Sequence, residues 1–335
     1  MKIKCSIVIP CYNVAEFLPK LFDSIQRQNS DAVEYIFVDD GSVDNTGALL
    51  DDFCEKKHTA KVLHQKNTGV CGARNAGLKT AQGDYVFFLD GDDYLTDNAS
   101  AILCDVMSGG SDVICFKNNV LKINNNIPQQ IKSIKTDIPE GVYDIKSFLD
   151  FDEIVASGGT FRLYRRKMLS DHNILFDEDL PLGEVMTFFI HCLVCCKTIQ
   201  MCASPVMVYL VRQNSISRSV NFEKDYRIFD ALDRIRLYCD LYDLNFKNSK
   251  TIKRVITNFI FGFTLNKYVK NNLSYCKEIA RCFDKIKGNE YYRRCLRSVV
   301  FDKKARNTTR IVSMIVMTFP AKMAYLMMKK VKNYN

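Results

Sequence analysis

Residues 83–93 read GDYVFFLDGDD, five apolar residues followed by a cluster of carboxylates. An apolar run of this length, bounded by Gly and Asp, predicts a fully buried β-strand. Residues 34–42, EYIFVDDGS, repeat the pattern, and residues 4–10, KCSIVIP, form a further apolar run. Helical periodicity fills the segments 15–28, 44–57 and 72–81. Strands that alternate with helices predict an α/β fold with a mostly parallel sheet flanked by helices.

Both acidic clusters follow a predicted strand. Because ligands bind beyond the carboxyl ends of parallel strands, we expect the two clusters to share one crevice. Asp90 and Asp92 project the same way, and a hard divalent cation relieves their repulsion. Mg²⁺ or Mn²⁺ accepts carboxylate oxygens and completes its shell with phosphate oxygens. The spacing therefore predicts a metal site at Asp90 and Asp92, and an acidic turn without metal is the alternative.

The acids at 39 and 40 have two interpretations. A carboxylate at a strand end can accept from a base N–H or from ribose hydroxyls. It can also cap the following helix through an Asx-type turn. Both apply if Asp39 is structural and Asp40 binds a nucleotide.

Residues 67–77, NTGVCGARNAG, form a glycine-containing loop that leads into a helix. Glycines permit close backbone approach, and a helix N-terminus attracts anions. Arg74 and Asn75 lie in the first turn of that helix, where they can reach a diphosphate or brace the acidic loops. The loop lacks the G-K-S/T of a Walker motif, and no G-x-G-x-x-G follows the first strand, which argues against an NTPase and a dinucleotide oxidoreductase.

Four motifs, in this order and spacing, resemble the family-2 glycosyltransferases of GT-A fold. They are SIVIPCYN (6–13), EYIFVDDGSVDNT (34–46), NTGVCGARNAGL (67–78) and GDYVFFLDGDDYL (83–95). The resemblance is close over residues 3–100 and looser to 219. It implies a Rossmann-like GT-A domain over residues 1–220, with a nucleotide-sugar-binding half (1–115) and an acceptor half (116–220).

The resemblance also implies site roles. Pro10 and Tyr12 would line a uracil pocket, and Asp40 would accept from the uracil N3–H. Asp90 would face the ribose and donor sugar, while Asp92 would ligate Mn²⁺ or Mg²⁺. Further nucleotide-sugar contacts are expected from Asn67, Arg74, Arg212, Ser215 and Ser217. The last three lie in YLVRQNSISRS (209–219), which resembles a family loop that closes over the diphosphate. A surface salt bridge is the alternative for Arg212.

The family usually places the catalytic base in a Glu-Asp pair at a helix start. FDEDLPLGEVMTFF (176–189) matches the surroundings, with Glu184 at the Glu position and Val185 where the Asp is expected. Glu184 is the candidate base, and an acid among residues 177–179 is an alternative. The implied function is a metal-dependent inverting glycosyltransferase that moves a sugar from a UDP-sugar to a glycan or lipid-linked acceptor in cell-surface polysaccharide synthesis. The alternative, motivated by Val185, is a weak or inactive nucleotide-sugar-binding protein.

Basic charge is concentrated at the C-terminus. Residues 251–335 hold 19 Lys and Arg against 4 Asp and Glu, a net charge of +15, whereas the remaining residues carry −6. Helical periodicity extends through residues 221–335, and residues 308–332 predict an amphipathic helix that lies on a membrane surface. A core-packing terminal helix is the alternative. No nucleic-acid-binding module is recognisable, so we expect no nucleic-acid partner.

Fourteen scattered cysteines in apolar segments predict reduced, buried thiols rather than a disulfide framework. Cys192 and Cys195 have no second pair at zinc spacing, so we interpret them as structural. The apolar run at residues 5–9 is too short for a signal peptide. The expected location is cytoplasmic, peripheral at the inner face of the cell membrane.

Overall fold

The structure is a computed structural model, and it describes residues 2–116, 119–124, 127–133, 138–149, 161–211, 220–242, 249–303 and 305–332. The described residues form two compact units. The first comprises Met1–Phe148, Gly158–Asp179 and Cys195–Gln213, and the second comprises Leu149–Ser157, Leu180–Val194 and Asn214–Asn335. In this division residues 180–194 group with the C-terminal helices, and the domain boundary at residue 220 stays a prediction.

The first unit is built from short strands and the helices that connect them. The strands are β1 Cys5–Cys11, β2 Val33–Asp39, β3 Ala60–His64, β4 Tyr85–Phe88, β5 Tyr94–Leu95, β6 Val113–Phe116, β7 Asn119–Asn124, β8 Ile127–Ser133, β9 Gly141–Asp144, β10 Arg162–Arg165, β11 Thr198–Cys202 and β12 Met207–Val211. The helices are α1 Leu18–Gln26, α2 Thr46–Lys56, α3 Gly69–Thr80, α4 Ala99–Val106, α5 Ile145–Leu149 and α6 Arg166–Asp171.

The main sheet has eight described strands in the order β3-β2-β1-β4-β10-β6-β11-β9. The four strands at its β3 end are parallel, whereas β10 runs antiparallel to both β4 and β6. The predicted mostly parallel α/β sheet is therefore confirmed. A smaller sheet has the order β5-β12-β7-β8, in which β7 and β8 pair antiparallel.

The core of the first unit surrounds β1, whose seven residues are all buried. Helix α3 packs directly against this strand because residue 77 is glycine. A Cβ at Gly77 would lie 2.3 Å from Cγ1 of Val8, a distance that no side chain tolerates. The close approach of helix and strand brings the first turns of α3 to the edge of the sheet where β1 and β4 end.

The second unit is helical, as predicted for the C-terminal region. Its helices are α7 Glu184–Cys195, α8 Phe222–Tyr226, α9 Ile228–Tyr242, α10 Lys250–Ile260, α11 Asn266–Lys270, α12 Lys277–Gly288, α13 Glu290–Val300, α14 Asn307–Thr318 and α15 Ala321–Lys332. Two buried ion pairs join elements that are distant in sequence, Arg254 with Asp302 and Lys267 with Asp225, each at 2.6 Å. Because each charge is paired, burial leaves none of these four groups without compensation.

The single helix predicted over residues 308–332 is two helices in the structure, α14 and α15. They separate at Phe319, which is extended (φ −105°, ψ 152°) because it precedes Pro320. Each helix buries one apolar face, through residues such as Val316 and Tyr325. Among the described residues, no helix is long and apolar enough to cross a membrane.

All fourteen cysteines are free thiols, and ten of them are buried. Burial raises the pKa of buried thiols such as Cys5 and Cys11 far above the ordinary value. These thiols therefore stay protonated and pack as small apolar side chains, as the sequence predicts.

Candidate functional site

The end of β1 is the centre of the candidate site. β1 lies between β2 and β4 and runs parallel to both, so the three strands end at one edge of the sheet. The Asp40 backbone N–H donates to the Cys11 carbonyl over 2.9 Å. On the other side, a Cβ at Gly91 would lie 3.0 Å from the Pro10 carbonyl. The two acidic segments thus contact the same strand end, in agreement with the crevice predicted from the sequence.

Three carboxylates meet after β4. Asp90, Asp92 and Asp93 each place one oxygen within 4.8 Å of the others, and no other group of three or more His, Cys, Asp or Glu in the described residues could hold a metal ion. Cys192 and Cys195 are part of no such group. Asp93 was not among the predicted ligands, although its position as the last letter of DGDD could have indicated it. It is buried, and its Oδ1 accepts from the Leu210 backbone N–H over 2.9 Å.

This donor set fits a hard divalent cation. It consists only of carboxylate oxygens, and Asp90 and Asp92 are partly exposed, so an ion could reach them and keep other oxygen ligands. Asp93 is tied to β12 by its bond with Leu210, which leaves Asp90 and Asp92 as the more accessible carboxylates. The residues present therefore fit the predicted Mn²⁺ or Mg²⁺.

Arg74 lies behind the acidic cluster. Its guanidinium is buried, donates from Nη2 to Asp90 Oδ1 over 2.8 Å, and lies over the Phe176 ring at 5.1 Å. Of the two roles predicted from the sequence, this geometry fits bracing of the acidic loop. The buried cation also offsets part of the negative charge that three close carboxylates accumulate.

Asp40 is buried, and its carboxylate is held by the loop that precedes α3. Oδ1 accepts from the Thr68 N–H at 2.8 Å and from Gln65 Nε2 at 2.7 Å, and Oδ2 accepts from the Gly69 N–H at 2.8 Å. Asn67 lies in the same turn, where its Oδ1 accepts from the Gly69 N–H at 3.2 Å. Asp40 therefore caps the start of α3, a structural role that the sequence analysis assigned to its neighbour.

Asp39 holds the opposite side of the site. Its Oδ1 accepts from the Ser42 N–H at 3.0 Å, and its Oδ2 lies 3.0 Å from Nδ1 of His64. Burial raises the pKa of Asp39, but the hydrogen bonds with Ser42 and His64 outweigh burial and hold that pKa below its ordinary value. The segment that these bonds support contacts the loop after β1, which carries Tyr12. Tyr12 is 50% exposed, whereas Pro10 is buried.

The loop at residues 176–179 is attached to α3. Asn75 Nδ2 donates to the Phe176 carbonyl and to Glu178 Oε1, both over 2.9 Å, while the Phe176 N–H donates back to Asn75 Oδ1. The carboxylate of Glu178 is thus held next to the helix that carries Arg74. Asn75 was predicted to reach a diphosphate or brace the acidic loops, and the sequence did not indicate its bonds with Phe176 and Glu178.

The remaining predicted residues belong to the second unit or lie outside the described residues. Glu184 is the first residue of α7 in the second unit, and it is partly exposed. Its role as a base stays a prediction. Arg212, Ser215 and Ser217 lie outside the described residues.

Comparison with known proteins adds the following. A family model described as "Glycosyl transferase family 2" matches residues 6–172. The uncharacterized glycosyltransferase EpsJ of Bacillus subtilis is 30% identical over 222 residues, which are 63% of this chain and 62% of EpsJ. The poly(ribitol-phosphate) β-N-acetylglucosaminyltransferase TarS of Staphylococcus aureus is 23% identical over 265 residues, 78% of this chain and 45% of TarS. The chain thus spans less than two thirds of the length of either relative.

A solved structure of S. aureus TarS 1–349 in complex with UDP-GlcNAc superposes with a TM-score of 0.76 and 18% identity, covering 99% of this chain and 92% of that one. At this identity the likeness establishes the fold, which is GT-A, as predicted.

Asp40→Asn should destabilise the protein in the absence of any nucleotide. An amide can no longer accept at both ends, so one N–H of the Thr68–Gly69 turn loses its bond to a charged acceptor, which costs about 1.5–3 kcal/mol. Urea denaturation followed by circular dichroism measures this cost. Asp97→Asn is the control, because Asp97 is an exposed partner of Arg27. Equal stability of the two variants would contradict the capping role.

Proposed function

The chain belongs to glycosyltransferase family 2, and on that premise we propose that it is a metal-dependent inverting glycosyltransferase. It transfers a sugar from a UDP-sugar to a glycan or lipid-linked acceptor in cell-surface polysaccharide synthesis. The observation that carries the proposal is the cluster of Asp90, Asp92 and Asp93 at the end of β4, beside the end of β1. The UDP-GlcNAc complex and the poly(ribitol-phosphate) acceptor named for TarS support the classes of donor and acceptor.

In this proposal the first unit binds the donor. Tyr12 and Pro10 line the base pocket, and Asp40 uses the remaining lone pair of Oδ2 for the uracil N3–H. Asp90 and Asp92 hold the Mn²⁺ or Mg²⁺ ion, and Arg74 keeps Asp90 in position through its 2.8 Å bond. When bound, the ion offsets the charge that develops on the departing diphosphate. Asn67, Arg212, Ser215 and Ser217 complete the proposed donor contacts.

Asp92→Asn should remove the metal dependence of nucleotide binding. Loss of an outer-shell partner of a metal ligand costs about 10- to 100-fold in metal affinity, and loss of the ligand itself should cost at least as much. Isothermal titration of UDP with and without Mn²⁺ measures the effect, and chelation by EDTA should abolish sugar transfer by the wild type. Asp97→Asn is the matched control. If UDP still binds Asp92→Asn more tightly with Mn²⁺, the proposed metal site is wrong.

The acceptor base is the least constrained part of the proposal. An inverting transfer needs a carboxylate to accept the proton of the acceptor hydroxyl. We propose Glu184, which begins α7 beside Val185. Glu178 is the alternative, because its bond to Asn75 holds it next to the helix that carries Arg74.

Glu184→Gln should lower kcat by about 10²- to 10⁴-fold and leave UDP affinity unchanged, because it removes only the proton acceptor. Glu178→Gln is the matched variant, since the amide oxygen of Gln can still accept from Asn75. UDP release from a panel of UDP-sugars, with lipid extract as acceptor, measures both. If only Glu178→Gln lowers kcat, Glu178 rather than Glu184 is the catalytic base. Turnover by Val185→Asp but not by the wild type would instead favour the nucleotide-sugar-binding protein.

The outer faces of α14 and α15 support a membrane-surface location. Helices that bury one face in a protein usually present polar residues on the other. Here the outward side chains include four large apolar residues, each two fifths or more exposed: Ile311, Met314, Met323 and Leu326. Exposed basic residues such as Arg306, Lys322 and Lys330 accompany them, within a segment of net charge +15. Apolar insertion with basic flanks is the pattern of a helix that binds anionic lipid.

Replacing Met314 and Leu326 together by Ser should lower binding to phosphatidylglycerol vesicles by about tenfold, because two buried apolar contacts with lipid are lost. Co-sedimentation with vesicles measures binding, and raised salt should weaken it for the wild type. Leu237→Ser with Leu241→Ser is the matched control, because both leucines are exposed on α9. Unchanged membrane fractionation after deletion of residues 310–335 would refute this location.

A further inference from the structure

We propose that His64 positions the residues that bind the nucleotide. The charged imidazole of His64 holds Asp39, and Asp39 in turn holds the loop that carries Tyr12. Nucleotide binding would then weaken as the imidazole loses its proton. The inference rests on the proposed function, which assigns the nucleotide to this edge of the sheet. Nothing in the four sequence motifs assigns a role to His64, which lies between the second and the third of them.

The geometry requires both ring nitrogens to act as donors. Nδ1 lies 3.0 Å from Asp39 Oδ2, and Nε2 lies 3.0 Å from Asp51 Oδ1. Ionised carboxylates only accept, and a neutral imidazole carries a single N–H. The complete bridge therefore forms only with the imidazolium, and it connects the end of β2 to α2 through the last residue of β3.

Asp39 transmits this restraint toward the nucleotide site. Its other oxygen accepts from the Ser42 N–H, and Ser42 Oγ in turn accepts from the Asn13 N–H at 3.1 Å. Asn13 Oδ1 then accepts from the Val43 N–H at 2.9 Å. Asn13 directly follows Tyr12, so these hydrogen bonds connect His64 to the residue next to the exposed ring.

The space around the bridge leaves Asp39 little freedom. A Cβ at Gly47, in the first turn of α2, would lie 3.1 Å from Asp39 Oδ2 and 3.6 Å from Cε1 of His64. The start of α2 therefore covers the contact between the two side chains. Loss of the imidazolium charge leaves one N–H to serve two carboxylates and removes the positive charge that faces the buried Asp39, so the turn at Ser42 loses part of its support.

The pH dependence follows from the two carboxylates that face His64, Asp51 from α2 and Asp39 from β2. Their hydrogen bonds, that of Asp51 first, raise the pKa of His64 above its ordinary value. A raised pKa means that the bridge is complete at and below the ordinary value and is lost as the pH rises through the raised one. At the acid end, the lowered pKa of Asp39 keeps its carboxylate ionised, so the bridge persists until the pH falls through that value.

The test is isothermal titration of UDP with Mn²⁺ between about pH 5.5 and about pH 8.5, for the wild type and His64→Gln. Gln can donate to one carboxylate but carries no charge. We expect UDP to bind the wild type about three- to fivefold more tightly than His64→Gln at the acid end, and equally at the basic end. The ratio of the two affinities at each pH removes the titration of the diphosphate itself, which is common to both proteins.

Two further variants separate positioning from a general effect on the fold. His58→Gln is the control, because His58 also pairs with an aspartate, Asp31, at 3.2 Å, outside this hydrogen-bond path. Its affinity ratio to the wild type should stay at one across the range. Asp51→Asn keeps the histidine and removes the partner that contributes most to its raised pKa, so the loss of affinity should begin at lower pH than in the wild type.

The inference would be overturned if the ratio of the UDP affinities of the wild type and His64→Gln stayed constant with pH. It would also be overturned if the UDP affinity of His58→Gln changed with pH in the same way as that of His64→Gln. Either result would leave the proposed function intact. Failure of the wild type to bind UDP at any pH would overturn the proposed function and the inference with it.

Discussion

Two consecutive carboxylates at the end of β2 hold the loops on both sides of the site. Side chains alternate along a strand, so Asp39 and Asp40 project to opposite sides. Asp39 binds Ser42 and His64, and Asp40 binds the backbone of Thr68 and Gly69. A buried carboxylate is tolerated only when donors surround it, so these two side chains dictate the course of the loops that supply the donors.

The same constraint explains why the acidic cluster forms where it does. β1 is shared by β2 and β4, and glycines permit close contact on two sides of it, Gly77 for α3 and Gly91 for the acidic loop. With α3 packed against β1 and begun at the turn held by Asp40, Arg74 pairs with Asp90. The cap at the start of α3, the packing of α3 on β1 and the position of the acidic cluster therefore depend on one another.

Much of this could be predicted from the sequence, because an apolar run that ends in acids indicates a strand end whatever follows it. The sequence therefore predicts the β1, β2 and β4 segments and the shared edge of the sheet. It does not predict the hydrogen-bond partners of the acids, since these come from distant parts of the chain. Asp40 is capped by residues 25–29 positions later, and Asp93 by Leu210, 117 positions later. Composition likewise could not separate the inner and outer faces of α14 and α15, because both are apolar.

Residues that the fold needs and residues that only the chemistry needs can be distinguished in this chain. Asp39, Asp40 and Arg74 are themselves buried and hydrogen-bonded, so folding alone would preserve them even without turnover. Val185 is partly exposed in the first turn of α7, where the buried Met186 and Phe188 make the packing contacts, so the position tolerates Val or Asp without loss of the core. Tyr12 is the opposite case, because half of its side chain stays exposed at the end of a strand that is otherwise buried. The role proposed for its ring therefore belongs to ligand binding, whereas the roles of the two aspartates and Arg74 belong first to the fold.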